Sequence, residues 1–279
     1  MLYGIIAMFG WGISNFFAGR FTKSIGFLPA LFWNTTGIII WLILIIMTGR
    51  HPIEIPSAKI AGFLTISGSL FFLAGLAFYK GLQVGKISLL SPIANSWPML
   101  IAIVSIINYP SSFSLLKTIG MLLVVFGVLA SSIKYAKKNI SISDPGIPYA
   151  FLALVGWFGA FYIYGITITT TAWVWMNILF LFISACFVAI YAPFTRQALT
   201  WHINRRTCVY FILGTIPATL AFYFYSLGMR SVYSSTTAIV TNLNPIITVL
   251  IALYILHEKL SKLQIVGIAT VIIGLMFIN

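Results

Sequence analysis

The chain has 279 residues, of which 61% are hydrophobic and only 7% charged. Soluble domains carry about 25% charged residues, so this composition excludes a water-soluble core and points to an integral membrane protein. The net charge of +13 does not indicate nucleic acid, because the basic residues are scattered between apolar segments and form no single patch.

A helix needs about 20 residues to cross a ~30 Å hydrocarbon core. Segments of that kind run, in chain order, at Leu2–Gly19, Phe27–Met47, Ile60–Tyr79, Ile87–Ile107, Leu115–Ile133, Ile147–Gly165, Thr169–Tyr191, Thr207–Leu227, Ser234–Leu256 and Leu263–Ile278. Barrel strands would alternate with period two in ~10-residue units, and these segments do not. The expectation is an all-α membrane protein with ten transmembrane helices. The first segment has no basic region before it and no small-residue cleavage site after it, so it is expected to stay as a helix. The longest connections, Lys134–Gly146 and Pro193–Arg206, leave no room for an attached soluble domain. Cys186 and Cys208 lie in or beside helices and match neither a disulfide framework nor a metal site.

The sequence repeats itself. A shift of 147 pairs Pro98 with Pro245, Asn95 with Asn242, Gly81 with Gly228, Ser88 with Ser235, Gly120 with Gly267 and Gly127 with Gly274. Near the start the shift is 146, and "YGIIAMFGW" lies over "YAFLALVGW", pairing Gly10 with Gly156 and Trp11 with Trp157. The halves are residues 1–138 and 145–279, with 139–144 as linker. Five helices per half is an odd number, so the second half enters the membrane from the opposite side, which is the inverted-repeat plan of secondary transporters.

"IANSWPMLIAIV" and "VTNLNPIITVLI" hold the polar punctuation of this greasy chain. Pro98 and Pro245 cannot donate to the carbonyls of Ala94 and Thr241. Asn95 and Asn242 add amide donors and acceptors at the same depth. One reading is a kink with interhelical hydrogen bonds; the other is the lining of a central pathway, where freed carbonyls meet a wet cavity. Trp11 and Asn15 are four apart and share a helix face, as do Trp157 and Phe161, with Tyr164 close by. Helix 2 carries Trp33 and Asn34, and helix 8 carries "FYFY" from Phe222 to Tyr225. The candidate substrate-binding residues are Trp11, Asn15, Tyr79, Asn95, Trp157, Tyr164, Tyr223 and Asn242. Gly120, Gly127, Gly267 and Gly274 allow close helix packing, within the bundle or at a dimer contact.

The acids Glu54, Asp144 and Glu258 and the histidines His51, His202 and His257 all fall in connections. No serine has a histidine and an acid at plausible depth, and no metal-ligand cluster exists, so the sequence argues against an enzyme. No cofactor and no metal are expected. Without an ionisable group in a helix centre, proton coupling lacks its usual carrier, and facilitated diffusion or exchange is expected. An aromatic cavity without a carboxylate suits a neutral or zwitterionic solute, or a quaternary ammonium held by cation–π contact.

The ten helices, the two halves, Trp11-Gly12 and the closing "LHEKLSKLQIVGIATVIIGL", with Glu258-Lys259-Leu260-Ser261 before Gly267 and Gly274, resemble the drug/metabolite transporter superfamily of the EamA type over nearly the whole chain. The first half departs from it, with Pro110-Ser111 where His257-Glu258 stand in the second. The resemblance implies small-metabolite transport, often export of amino acids or related compounds. It implies a cavity bounded by helices 1, 3, 4, 6, 8 and 9, with helices 5 and 10 supporting. Uptake of a sugar, nucleoside or choline-like nutrient is the alternative within transport, and a non-transporting scaffold or receptor is the alternative outside it. The expected partners are a small-molecule solute and the lipid bilayer, with the chain a monomer or weak homodimer in a cell membrane, the inner membrane of a prokaryote. Connections 1–2, 3–4, 5–6, 7–8 and 9–10 hold twelve of the sixteen Lys and Arg residues and the others four. Positive charge faces the cytoplasm, which puts both termini outside; the family expectation is termini inside.

Overall fold

The structure, a computed structural model, describes residues 2–49, 51–108, 114–136, 139–142, 144–167, 172–195, 198–200, 204–230, 237, 240–257 and 260–278. Eleven helices occur among them. The first repeat contributes α1 (Leu2–Ile25), α2 (Phe27–Thr48), α3 (Ala58–Val84), α4 (Ile87–Ala94), α5 (Trp97–Asn108) and α6 (Leu115–Ser132). The second contributes α7 (Ile147–Thr167), α8 (Trp173–Thr195), α9 (Arg205–Met229), α10 (Asn244–Leu256) and α11 (Lys262–Ile278). Six of these (α1, α2, α3, α7, α8 and α9) are long and apolar enough to cross a membrane unaided. The protein is an all-α, ten-span membrane protein built from two inverted five-helix repeats.

Two expected spans are broken. The fourth is interrupted by a turn at Asn95–Ser96, so α4 and α5 share one crossing. The ninth is interrupted at Asn242–Leu243 between the helical residues Val240–Thr241 and α10. Pro98 and Pro245 therefore sit in the first turn of a new helix, where a missing N–H costs nothing. Side chains repair the breaks. Asn95 Nδ2 donates to the Ser91 carbonyl at 2.8 Å and Ser96 Oγ to the Pro92 carbonyl at 2.7 Å. Asn244 Nδ2 donates to the Thr241 carbonyl at 3.1 Å. The expectation of a freed Thr241 carbonyl is thus corrected: an amide on the next helix satisfies it.

The connection between the repeats, expected at Lys134–Gly146, is not featureless. It holds an antiparallel hairpin, β1 (Ile133–Ala136) with β2 (Asn139–Ile142), in which Ile133 pairs with Ile142 and Ala136 with Asn139. Pairing satisfies backbone groups where the chain leaves the helix ladder.

The repeats are visible in the packing. α1 lies on α9 and α3 on α7, α2 meets α8, and α6 lies along α11. Single contacts are mirrored residue by residue. A Cβ on Gly10 would meet the Cβ of Ala221 at 2.9 Å, and one on Gly156 would meet that of Ala74 at 2.8 Å. Gly37 faces Thr215, and Gly68 faces Ile183. Ser14 Oγ donates to the Gly214 carbonyl and Ser67 Oγ to that of Ala160, both at 2.7 Å. All three pairs obey shifts of 146 for α1 and α2 and 147 for α3. The helix-5 and helix-10 glycines face each other inside the chain: a Cβ on Gly127 would stand 2.6 Å from the Gly267 carbonyl oxygen, and one on Gly274 2.6 Å from that of Gly120.

Helices alternate in direction along the chain, which defines two faces. The terminal face carries the start of α1 and the end of α11. The opposite, basic face carries the connections that hold the twelve cations.

Candidate functional site: a central cavity at two helix breaks

The cavity forms where both breaks meet α1, α2, α3, α7 and α9. Its lining includes Asn95 and Trp97 from the first break and Asn242 and Asn244 from the second. The space open to the centre of a water-sized sphere is about 90 Å³. One water needs roughly 10–15 Å³ on that measure, so a small solute has room. The walls are aromatic, with Trp11, Phe71, Phe78, Trp97 and Trp157 prominent, and the polar groups are amides and hydroxyls such as Asn15, Asn34 and Thr35. No lining residue among those described carries a charge.

The polar groups are unequally engaged. Asn15 Nδ2 reaches Asn244 Oδ1 at 3.4 Å, joining α1 to the start of α10, and Thr248 Oγ1 donates to the Gly12 carbonyl at 3.0 Å. Among the described residues three buried side-chain groups have no partner, Asn34 Nδ2, Trp157 Nε1 and Ser184 Oγ, and the first two belong to residues that line this cavity.

Toward the terminal face the cavity is shut by rings. Trp97 stacks on Phe161 with centroids 4.6 Å apart and planes 19° from parallel. Trp11 packs against Tyr225 at 5.1 Å and edge-on against Phe222 at 5.4 Å. Behind them lies a buried polar network: the Tyr164 hydroxyl donates to Asn177 Oδ1, and Asn177 Nδ2 donates to Ser226 Oγ at 3.0 Å. It ties α7, α8 and α9 together. The equivalent positions in the first repeat are Ala18, Leu31 and Tyr79, which instead line the cavity on its basic-face side. The structure is therefore asymmetric where the sequence repeat is symmetric.

Of the eight candidate residues, Trp11, Asn15, Tyr79, Asn95, Trp157 and Asn242 meet in this cavity. Tyr164 does not; it belongs to the network and borders a second cavity beyond the Trp97–Phe161 pair. Tyr223 lies near the terminal face against His51 and Trp173, at ring distances of 5.9 and 5.4 Å. Helix 2 supplies Leu31, Asn34, Thr35 and Ile38 to the wall, a correction to the bounding set implied by resemblance. The ionisable residues keep away. Asp144 accepts from the Lys86 and Gly146 backbone N–H groups at 3.0 and 2.8 Å, holding the α3–α4 junction to the start of α7. Lys80 Nζ lies 4.8 Å from the Phe27 ring centre near the basic face. Pro110, Ser111, His202 and Glu258 lie outside the described residues.

The sequence model of the EamA-like transporter family matches residues 1–133 and 144–279, once per repeat. The chain belongs to the EamA-like transporter family. This makes it a multi-pass membrane transporter of small solutes. The chain is also similar to an uncharacterized protein, MJ1333.1, of Methanocaldococcus jannaschii, 28% identical over 133 residues, which are 48% of this chain and 96% of that protein. The length of one repeat thus accounts for nearly all of that relative. A crystal structure described only as that of a "protein" matches with a TM-score of 0.65 and 16% identity, covering 100% of this chain and 96% of that one. At that identity the likeness concerns the fold.

Proposed function

We propose that this EamA-like protein is a secondary transporter that works by alternating access and exports small amino-acid-like metabolites by facilitated diffusion or exchange. The observation that carries the reading is the central cavity, which lies at two helix breaks and is walled off from the terminal face. Equivalent positions take opposite roles: Ala18, Leu31 and Tyr79 line the cavity while Tyr164, Asn177 and Ser226 are bonded shut. Exchange of these roles as the units 1–138 and 145–279, joined by the 139–144 linker, rock around a site near Asn95 and Asn242 turns the cavity to the other face. Amides and aromatic rings without a charge suit a zwitterion with an apolar part. The uncharged lining supports a cycle without proton coupling, which usually uses Asp, Glu or His. The cavity extends toward the basic face, which the positive-inside rule makes cytoplasmic, and loading from the cytoplasm is export. The glycine faces are occupied within the chain, which favours a monomer over a weak homodimer; the proposed location is a cell membrane, the inner membrane of a prokaryote.

The test is counterflow in proteoliposomes loaded with a mixture of unlabelled amino acids. Uptake of a labelled member without any ion gradient is the expected result. Concentrative uptake driven by a pH gradient alone, at clamped potential, overturns the coupling, and absence of any flux overturns the amino-acid-like substrate class.

A further inference from the structure

Of the three unpartnered buried groups, the two that belong to cavity-lining residues carry more than their number suggests; Ser184 is not among the cavity's lining residues. An indole N–H can only donate, so Trp157 Nε1, buried in the cavity wall without a partner, asks for an acceptor. Asn34 is 7% exposed and its Nδ2 is also unpartnered in the same wall. The remaining amides there are partly spent within the protein, as Asn95 on Ser91 and Asn244 on Thr241. Buried polar groups in folded proteins are nearly always bonded, and an exception beside a cavity marks where a ligand or its water goes.

We propose that Trp157 and Asn34 form the oxygen-binding end of the solute site: a carboxylate or carbonyl oxygen of the solute accepts from Trp157 Nε1 and Asn34 Nδ2. The inference rests on reading the cavity as the solute site. It makes an acceptor oxygen the required group and the rings of Trp11, Phe71 and Phe78 the bed of an apolar body. A solute whose polar part is only an ammonium group finds no acceptor need met and leaves both donors stranded. A site built to donate rejects analogues that lack the acceptor.

Binding to purified protein is measured with four probes on one phenyl scaffold: 3-phenylpropionate, 3-phenylpropionamide, L-phenylalanine and 2-phenylethylamine. The first carries a carboxylate and the second a carbonyl, so their ratio tells which oxygen the site favours. Binding of at least one oxygen-bearing probe, tenfold or more tighter than 2-phenylethylamine, is the expected result. Trp157→Phe and Asn34→Leu each weaken that probe at least tenfold. Neither removes a hydrogen bond from the empty protein, so affinity falls far more than the packing loss lowers the melting temperature; a merely structural role would lower the two together. Equal binding of 2-phenylethylamine, or unchanged affinity in both variants, overturns the inference and leaves the cavity as a solute site. Binding of none of the probes also overturns it, and metabolite counterflow by the same preparation keeps the transport reading intact.

Discussion

Asn95 and Asn242 occupy equivalent places in the two repeats, yet the structure gives them different work. Both line the cavity, but Asn95 Nδ2 is also bonded to the Ser91 carbonyl inside a buried turn. The Ser91 carbonyl also accepts from the Asn95 backbone N–H at 3.0 Å, so the side chain adds a second bond worth about 0.5–1.5 kcal/mol rather than rescuing an orphaned group. Asn95→Leu is therefore expected to lower thermal stability in detergent, with counterflow falling in step with the folded fraction. Asn242→Leu is expected to keep stability and weaken solute affinity, read as a raised half-saturation in the counterflow assay. The opposite assignment of losses would show that the break is held from the second repeat. Residue-level legibility follows the same line. Trp11, Trp157, Asn95 and Asn242 were legible because the repeat singles them out. Asn34 was visible on helix 2 but its equivalent is Phe180, and a symmetry argument is blind to a group present in one half. Tyr164 and Tyr223 are aromatic residues in the expected segments, but sequence alone does not say whether a ring faces a cavity, a network or the rim.

At the scale of elements, the seven-residue glycine spacing predicted close packing and left the partner open. The partner is the equivalent helix of the other repeat. Cβ atoms on Gly127 and Gly274 would meet backbone at 2.6 Å, and backbone cannot swing aside as a long side chain can. Gly127→Leu or Gly274→Leu is expected to cost ~1–3 kcal/mol by overpacking, seen as a lower melting temperature. Gly62 on α3 has nothing within 4 Å of its added Cβ. Gly62→Ala is accordingly neutral or stabilising, by up to ~1 kcal/mol from helix propensity. Equal melting for Gly62→Ala and Gly127→Leu would remove the packing role. The helix breaks were only half legible. Proline announced a disturbance, but whether a proline kinks one helix or opens the next depends on the caps that Asn95, Ser96 and Asn244 provide three-dimensionally.

For the whole molecule, inversion makes a prediction that neither half makes alone. Equivalent residues near the centre, such as Trp11 and Trp157, both line the cavity, but away from the centre one conformation is expected to expose one member of a pair and hide the other. Ile38 lines the cavity, and its equivalent Ser184 is fully buried. In a background with Cys186 and Cys208 replaced by serine, Ile38→Cys is expected to react with a small membrane-impermeant thiosulfonate from the basic face only. The near-isosteric Ser184→Cys is expected to react from neither face. Adding Asn177→Leu removes the amide that joins Tyr164 to Ser226, and Ser184→Cys then becomes reactive from the terminal face. If the twelve cations against four place the basic face in the cytoplasm, as proposed above, Ile38→Cys labels in inside-out vesicles and not in right-side-out ones. A reporter fused after Asn279 that is active only in the cytoplasm reverses the orientation but leaves the pairwise rule untouched. Labelling of Ser184→Cys as fast as Ile38→Cys, with Asn177 intact, would falsify the closed terminal face. The two outcomes separate because orientation depends on the loop charges, whereas closure depends on three buried side chains that have no polar counterparts at two of their equivalent positions, Ala18 and Leu31.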